Sequence, residues 1–210
     1  MNEIQAIAVK PKQGGYTLVE LAIAIAILSV LIIAGLSGVQ SILVSGKVND
    51  QIKTVAKLGA KVSSFYANGT SGVTAAELAR NGGWDSSKYS ITGTGTAATA
   101  TINSSFGTTE TITSNTAAIG DIAANTAFIY TIKAVPKSAC ADLANGLSGL
   151  VYAIYISANN ATTTATANWV AGSTNTSLVK EKAGTNLITA NLASSCDAGS
   201  TLDFQIALKP

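Results

Sequence analysis

The chain has 210 residues, of which 47% are hydrophobic and only 11% charged, with a net charge of +2 and no histidine. It is too apolar for a disordered chain and poor in charge for a soluble monomer. Lacking histidine, it has no usual general base, no Ser-His-Asp or Cys-His arrangement and few routes to a zinc site. It carries no Walker loop, dinucleotide fingerprint or paired-cysteine motif, so neither an enzyme nor a bound cofactor or metal is expected.

The apolar excess lies near the N-terminus. Residues 1–15 are polar or mixed, with Glu3, Lys10, Pro11 and Lys12. From Leu18 to Leu36 the sequence LVELAIAIAILSVLIIAGL is apolar except for Glu20 and Ser29, and no charge occurs between Glu20 and Lys47. A helix rises about 1.5 Å per residue, so roughly 20 apolar residues cross a hydrocarbon core about 30 Å thick. Lys10 and Lys12 flank one end and Lys47 and Lys53 the other, so positive-inside counting is close to a tie. A secretory signal peptide would have a shorter apolar region and a better cleavage site than Ala34-Gly-Leu-Ser-Gly38. A plain membrane anchor would explain neither Gly14-Gly15 directly ahead of the run nor the carboxylate inside it. A charge deep in a bilayer costs about 2.5–3.5 kcal/mol on insertion scales, so Glu20 is a functional candidate that needs a partner. A cut after Gly15 would create one: the new ammonium of Tyr16, about one helical turn away.

Val44, Val48, Ile52, Val55, Leu58, Val62 and Phe65 recur every three or four residues, with Lys53, Lys57 and Lys61 as a polar stripe. This predicts one helix from Tyr16 to Ala67. It is apolar all round over 16–43 and amphipathic over 44–67, where it packs on a globular domain, and Asn68-Gly69 stops it. The lysine stripe reads as a solvated face.

The head, residues 68–210, opens with a capping-box pattern, Thr74 to Glu77, that starts a short helix ended by Asn81-Gly82-Gly83. Exposed or edge strands are predicted at 89–92, 99–103 and 108–113. Stronger strands follow at 127–135, 150–157, 168–171 and 202–208, with a short helix over 138–146 after Pro136. The expected class is α+β, a helix packed on a mainly antiparallel sheet. Stretches 92–102 and 157–168 are nearly low-complexity in Thr, Ala and Asn and read as soluble loops or a variable surface.

Two cysteines far apart in a chain with an export-like N-terminus suggest one structural disulfide, Cys140 to Cys196, with two buried thiols as the alternative. The loop closed would exceed fifty residues, worth about 4 kcal/mol in the chain-entropy model. The cations are scattered, and no basic cluster interleaved with aromatics marks a nucleic-acid surface.

The segment KQGGYTLVELAIAIAILSVLIIAGL resembles the type IV prepilin signature: a charged leader ending in glycine, then an apolar mature N-terminus with glutamate at its fifth position. The resemblance implies a leader of residues 1–15, cleavage between Gly15 and Tyr16 by a prepilin peptidase, N-methylation of Tyr16, and a Glu20 that pairs with a neighbour's Tyr16 amine. It also implies an inner-membrane precursor, a pilus assembly machinery, and a final place in an extracellular pilus made of copies of this chain. Tyr16 replaces the more common Phe or Met, and Gly35, Ser37 and Gly38 stand where many relatives carry proline. The helix there either unwinds in a filament or packs closely at its small residues. The region 140–196, bounded by the cysteines and followed by a strand, is similar to that of type IVb pilins, although the leader is shorter than theirs. The implied role is a major pilin. A minor pilin or type II secretion pseudopilin, and an adhesion or DNA-uptake receptor pilin, are the alternatives.

Overall fold

A computed structural model describes residues 15–67, 69–70, 72–115, 118, 122–158, 177–182 and 184–209. The chain divides into two compact units, residues 1–42 and 43–210. Helix α1, Leu18–Phe65, contributes to both. It is helical through Gly35 and Gly38. The strand expected over 168–171, most of the 157–168 stretch, Asn68 and all but the last residue of the expected leader lie outside the described residues.

In the first unit the apolar side chains of α1 are left exposed among the described residues. Leu21, Ile25, Leu28, Leu31 and Leu36 are each more than half exposed. The helix stands without them because every interior backbone donor and acceptor is satisfied within the helix itself. Even Ser29, in the middle of the apolar run, turns its hydroxyl inward to donate to the carbonyl of Ala26 at 2.8 Å.

In the second unit the same helix becomes a core element. Val48, Val55, Leu58 and Val62 are buried, and Val44 and Ile52 pack beside them. Phe65 departs from the predicted stripe and is 57% exposed, while Tyr66 is buried instead. A step of four from Val62 keeps to the inner face at the helix end, whereas a step of three does not. Tyr66 meets the Phe128 ring edge-on at 5.6 Å, and its hydroxyl accepts from Asn81 Nδ2 at 2.9 Å.

Helix α2, Ala75–Arg80, is capped as its sequence predicts: Thr74 Oγ1 accepts the Glu77 N–H at 3.2 Å. Gly82, at φ +79°, turns the chain out of it. A Cβ at Gly83 would stand only 3.0 Å from the Leu78 carbonyl and 3.1 Å from Leu58, so this turn needs glycine to lie against α1.

Seven strands form one sheet in the order β1-β2-β3-β4-β7-β5-β6, antiparallel at every pairing. They are β1 Tyr89–Thr92, β2 Thr99–Asn103, β3 Thr109–Ser114, β4 Phe128–Pro136, β5 Ala153–Ala158, β6 Leu178–Lys180 and β7 Thr201–Leu208. In β2 and β3, threonines point outward while Ile102, Glu110 and Ile112 point in. After β4, helix α3 (Lys137–Leu147) leads to β5 and leaves a central slot that β7 fills. β7 is therefore covered on both faces. Leu202, Phe204, Ile206 and Leu208 join the main core, and Ala207 joins a smaller cluster with Ile122, Ala153, Tyr155 and Leu178.

A bulge interrupts β4 between Ile132 and Val135. It holds Ala134 at φ +55°, a left-handed conformation uncommon for a residue with a Cβ. The buried carboxylate of Asp203, on the neighbouring strand, accepts the Ala134 N–H at 3.0 Å and keeps it there.

Helix α4, Thr189–Asp197, and β6 were not predicted. Cys140 on α3 and Cys196 on α4 are joined in a disulfide with a Cα separation of 5.7 Å. Leu192 of α4 packs on the core and Asn191 Nδ2 donates to the Leu178 carbonyl at 2.8 Å. The lysine stripe of α1 is only partly solvated. Lys57 pairs with Asp85, Lys61 lies 5.5 Å over the Phe65 ring, and Lys53 is exposed.

The two halves of α1 predict two kinds of leucine. Leu58→Ala, at a position with no exposure, should destabilise the second unit by about 2–5 kcal/mol, seen as a lower unfolding temperature in micelles. Leu31→Ala, 62% exposed, should leave that temperature unchanged.

Candidate functional site

Gly15, Tyr16 and Thr17 precede the first turn of α1 in non-helical conformation, and all three are exposed. Tyr16 is 88% exposed, so both the Gly15–Tyr16 bond and the backbone nitrogen behind it lie open at the chain surface. The first helical residue is Leu18.

Thr17 and Glu20 form a reciprocal cap. The Glu20 N–H donates to Thr17 Oγ1 at 3.2 Å, and the Thr17 N–H donates back to Glu20 Oε2 at 3.4 Å. The Thr17 hydroxyl also donates to that carboxylate oxygen, at 3.3 Å. Thr17 is thus the N-cap and Glu20 the third helical residue of a capping box. This satisfies two backbone donors that would otherwise be orphaned at the head of an apolar helix, and it sets a negative charge against the positive end of the helix dipole. The sequence points to a Tyr16 ammonium as the partner of Glu20, and the structure adds Thr17 as a local one. The signal was present, since Thr17-Leu-Val-Glu20 has the same Ser/Thr-x-x-Glu spacing as the pattern recognised at Thr74.

The cap leaves Glu20 near the start of the helix with an oriented carboxylate. The carboxylate is held in the first turn of the helix by Thr17, the residue that follows the Gly15–Tyr16 junction. The helix that carries it is long and apolar enough to cross a membrane, with a mean hydropathy of 2.7 over its most apolar stretch. The arrangement can do two things chemically. It offers an accessible peptide bond for cleavage, and it holds a carboxylate ready for a cation at the helix head.

Cys140 and Cys196 lie in the second unit and belong to its framework. No cluster of metal-ligating side chains occurs among the described residues.

Residues 10–36 match the family model of the prokaryotic N-terminal methylation motif. The match therefore spans the Gly15–Tyr16 junction, Thr17, Glu20 and the apolar run. No curated protein matches the chain. Solved structures similar to it include two pilins. The type IV b pilin from Salmonella typhi is 20% identical, with 77% of this chain and 99% of that one covered and a TM-score of 0.49. TcpA, a type IV pilin from Vibrio cholerae El Tor biotype, is 13% identical, with 77% and 98% covered and a TM-score of 0.49. The chain carries the prokaryotic N-terminal methylation motif at the head of a long apolar helix, and its fold is the α+β arrangement of helix on antiparallel sheet that the resemblance implies.

The reciprocal cap has a measurable consequence. Thr17→Val should cost about 1 kcal/mol of helix-start stability. It should speed hydrogen exchange at the amides of residues 19–21 in micelles about fivefold, whereas Thr17→Ser should keep the native rate.

Proposed function

We propose that this chain is the structural subunit of a type IV pilus, probed best as a IVb-like major pilin. The observation that carries this reading is the exposed apolar half of α1, headed by an open Gly15–Tyr16 junction and a capped Glu20 within the methylation motif.

The mechanism follows from the residues. The precursor sits in the inner membrane through residues 16–43, with residues 1–15 on the cytoplasmic side. A prepilin peptidase cuts after Gly15, and the ammonium released at Tyr16 is then N-methylated. Methylation leaves the nitrogen cationic, so it keeps its attraction for a carboxylate. In assembly, Glu20 of one subunit receives the Tyr16 ammonium of another, which sets the axial register. A desolvated carboxylate strongly favours such a partner.

Transfer from lipid into a filament core gains little from the hydrophobic effect, because lipid tails are as apolar as leucine. Packing, charge pairing and the assembly machinery must therefore drive extraction. Loss of a subunit from the finished filament into water is another matter. Each buried Leu, Ile or Val then costs about 1.5–3 kcal/mol to expose, and this makes the polymer cohesive. The head, tied by its disulfide, forms the outer surface.

Two measurements test the reading. Mass spectrometry of protein sheared from the cell surface should find a dominant species beginning at N-methylated Tyr16 with Cys140 and Cys196 linked. A processed form confined to the membrane would favour a minor pilin or pseudopilin, and an uncleaved chain would overturn the proposal. In addition, Glu20→Ala should be processed normally yet yield few or no filaments by electron microscopy. Normal filament number in that variant would exclude the pairing mechanism.

A further inference from the structure

The inner stripe of α1 is apolar at Val48, Val55, Leu58 and Val62 but polar at Gln51, which is 1% exposed. Gln51 sits over Glu110 of β3, itself 4% exposed. Gln51 Nε2 donates to Glu110 Oε1 at 2.6 Å, and the hydroxyl of Tyr130, on β4, donates to Glu110 Oε2. Trp84 Nε1 donates to the Tyr130 hydroxyl at 3.3 Å, and the Ser105 N–H donates to Gln51 Oε1 at 3.4 Å. The helix, two strands and two loops thus meet on one carboxyl group.

That group has donors but no counter-ion among the described residues. The cation nearest in charge effect, Lys88, is already held by Asp50 and Ser105. An uncharged cluster of this kind is stable beneath a helix, whereas an ionised one places an unpaired charge in the core.

We infer that Glu110 is a proton-operated latch, which holds the amphipathic half of α1 firmly on the sheet when protonated and loosens it when ionised.

Burial pushes the Glu110 carboxyl from 4.5 up to about 7, with the bonds from Tyr130, Ser104 and Gln51, and then the charge of Lys88, pulling it partly back. Tyr130, held well above its usual range by burial and by the adjacent Glu110, remains a protonated donor throughout. Asp50 is lowered, chiefly by its bond to Lys88, and so stays charged over the same range. A raised carboxyl gives stability that is complete below its unfolded value and is lost as pH rises through the folded one. The window is therefore pH 4.5 to 7, and the loss runs toward alkali, opposite to ordinary acid denaturation. The chain has no histidine to blur this window. The latch does not depend on whether the chain polymerises.

The test is hydrogen exchange on the full chain in detergent micelles, with protection factors corrected for the intrinsic pH dependence of exchange. Protection at residues 51–58 should fall about tenfold between pH 6 and pH 8, as expected for a carboxyl with these two end-point values. Glu110→Gln keeps the shape of the side chain without its charge and should abolish the fall. Tyr130→Phe removes a donor to the carboxylate and should move the midpoint to higher pH. The same pH profile in the native chain and Glu110→Gln would overturn the inference. An unmoved midpoint in Tyr130→Phe would overturn it independently, should the glutamine variant fail to fold.

Discussion

A single α-helix has to serve two different surroundings, and the rest of the chain is arranged around that constraint. A helix satisfies its backbone polar groups internally, so it can run from hydrocarbon into a protein core without changing conformation. Only the side chains need to change. Over residues 18–43 the apolar ones are exposed among the described residues, while over 44–65 they narrow to a stripe that the sheet covers. The change in pattern along α1, with no break in the backbone, gives one element an exposed apolar half and a half that is a core member.

The head of that helix shows how a charge is tolerated in such a segment. Glu20 answers a local requirement before any partner arrives, because its carboxylate and the Thr17 hydroxyl close the orphaned donors of the first turn. The same geometry keeps the carboxylate oriented. A residue that reads as a liability in an apolar run therefore has a structural role at the head of its own helix.

Among the buried polar groups of the second unit, one cluster lies at the helix–sheet contact, where Gln51, Glu110, Tyr130 and Trp84 meet beneath α1. Buried polar groups cost stability unless every member is satisfied, and replacing them with packed hydrophobes is often no worse. Their presence at the helix–sheet contact gives that contact a register that sliding apolar surfaces lack, and makes its strength depend on a proton. Elsewhere the unit relies on a strand covered on both faces, β7, and on a disulfide that anchors the weakly helix-forming α4.

Much of this was legible in the sequence because it rests on local periodicity and short-range chemistry. The span and faces of α1, the cap of α2 at Thr74, and β1 and β2 follow from side-chain spacing alone. So does the apolar run, whereas the Gly15, Tyr16 and Glu20 register rests on the resemblance to the prepilin signature. The capping role of Thr17 was equally local and equally readable. What the sequence could not contain was settled by contacts between distant segments. Helix α4 has the composition of a loop and is helical because Leu192 packs and Cys196 is tethered. The three residues of β6 are too few for a period, and they pair only because β5 offers an edge. Val62 to Tyr66, and not Val62 to Phe65, lies on the buried face because the helix ends against Phe128. Ala134 holds a left-handed conformation only because Asp203, almost seventy residues later, lies on the adjoining strand. Glu110 reads in the sequence as one acidic residue in an exposed threonine-rich strand. Its inward place and its altered acidity come from the fold, which puts it beneath a helix that begins ninety residues earlier in the chain and takes its counter-ions elsewhere.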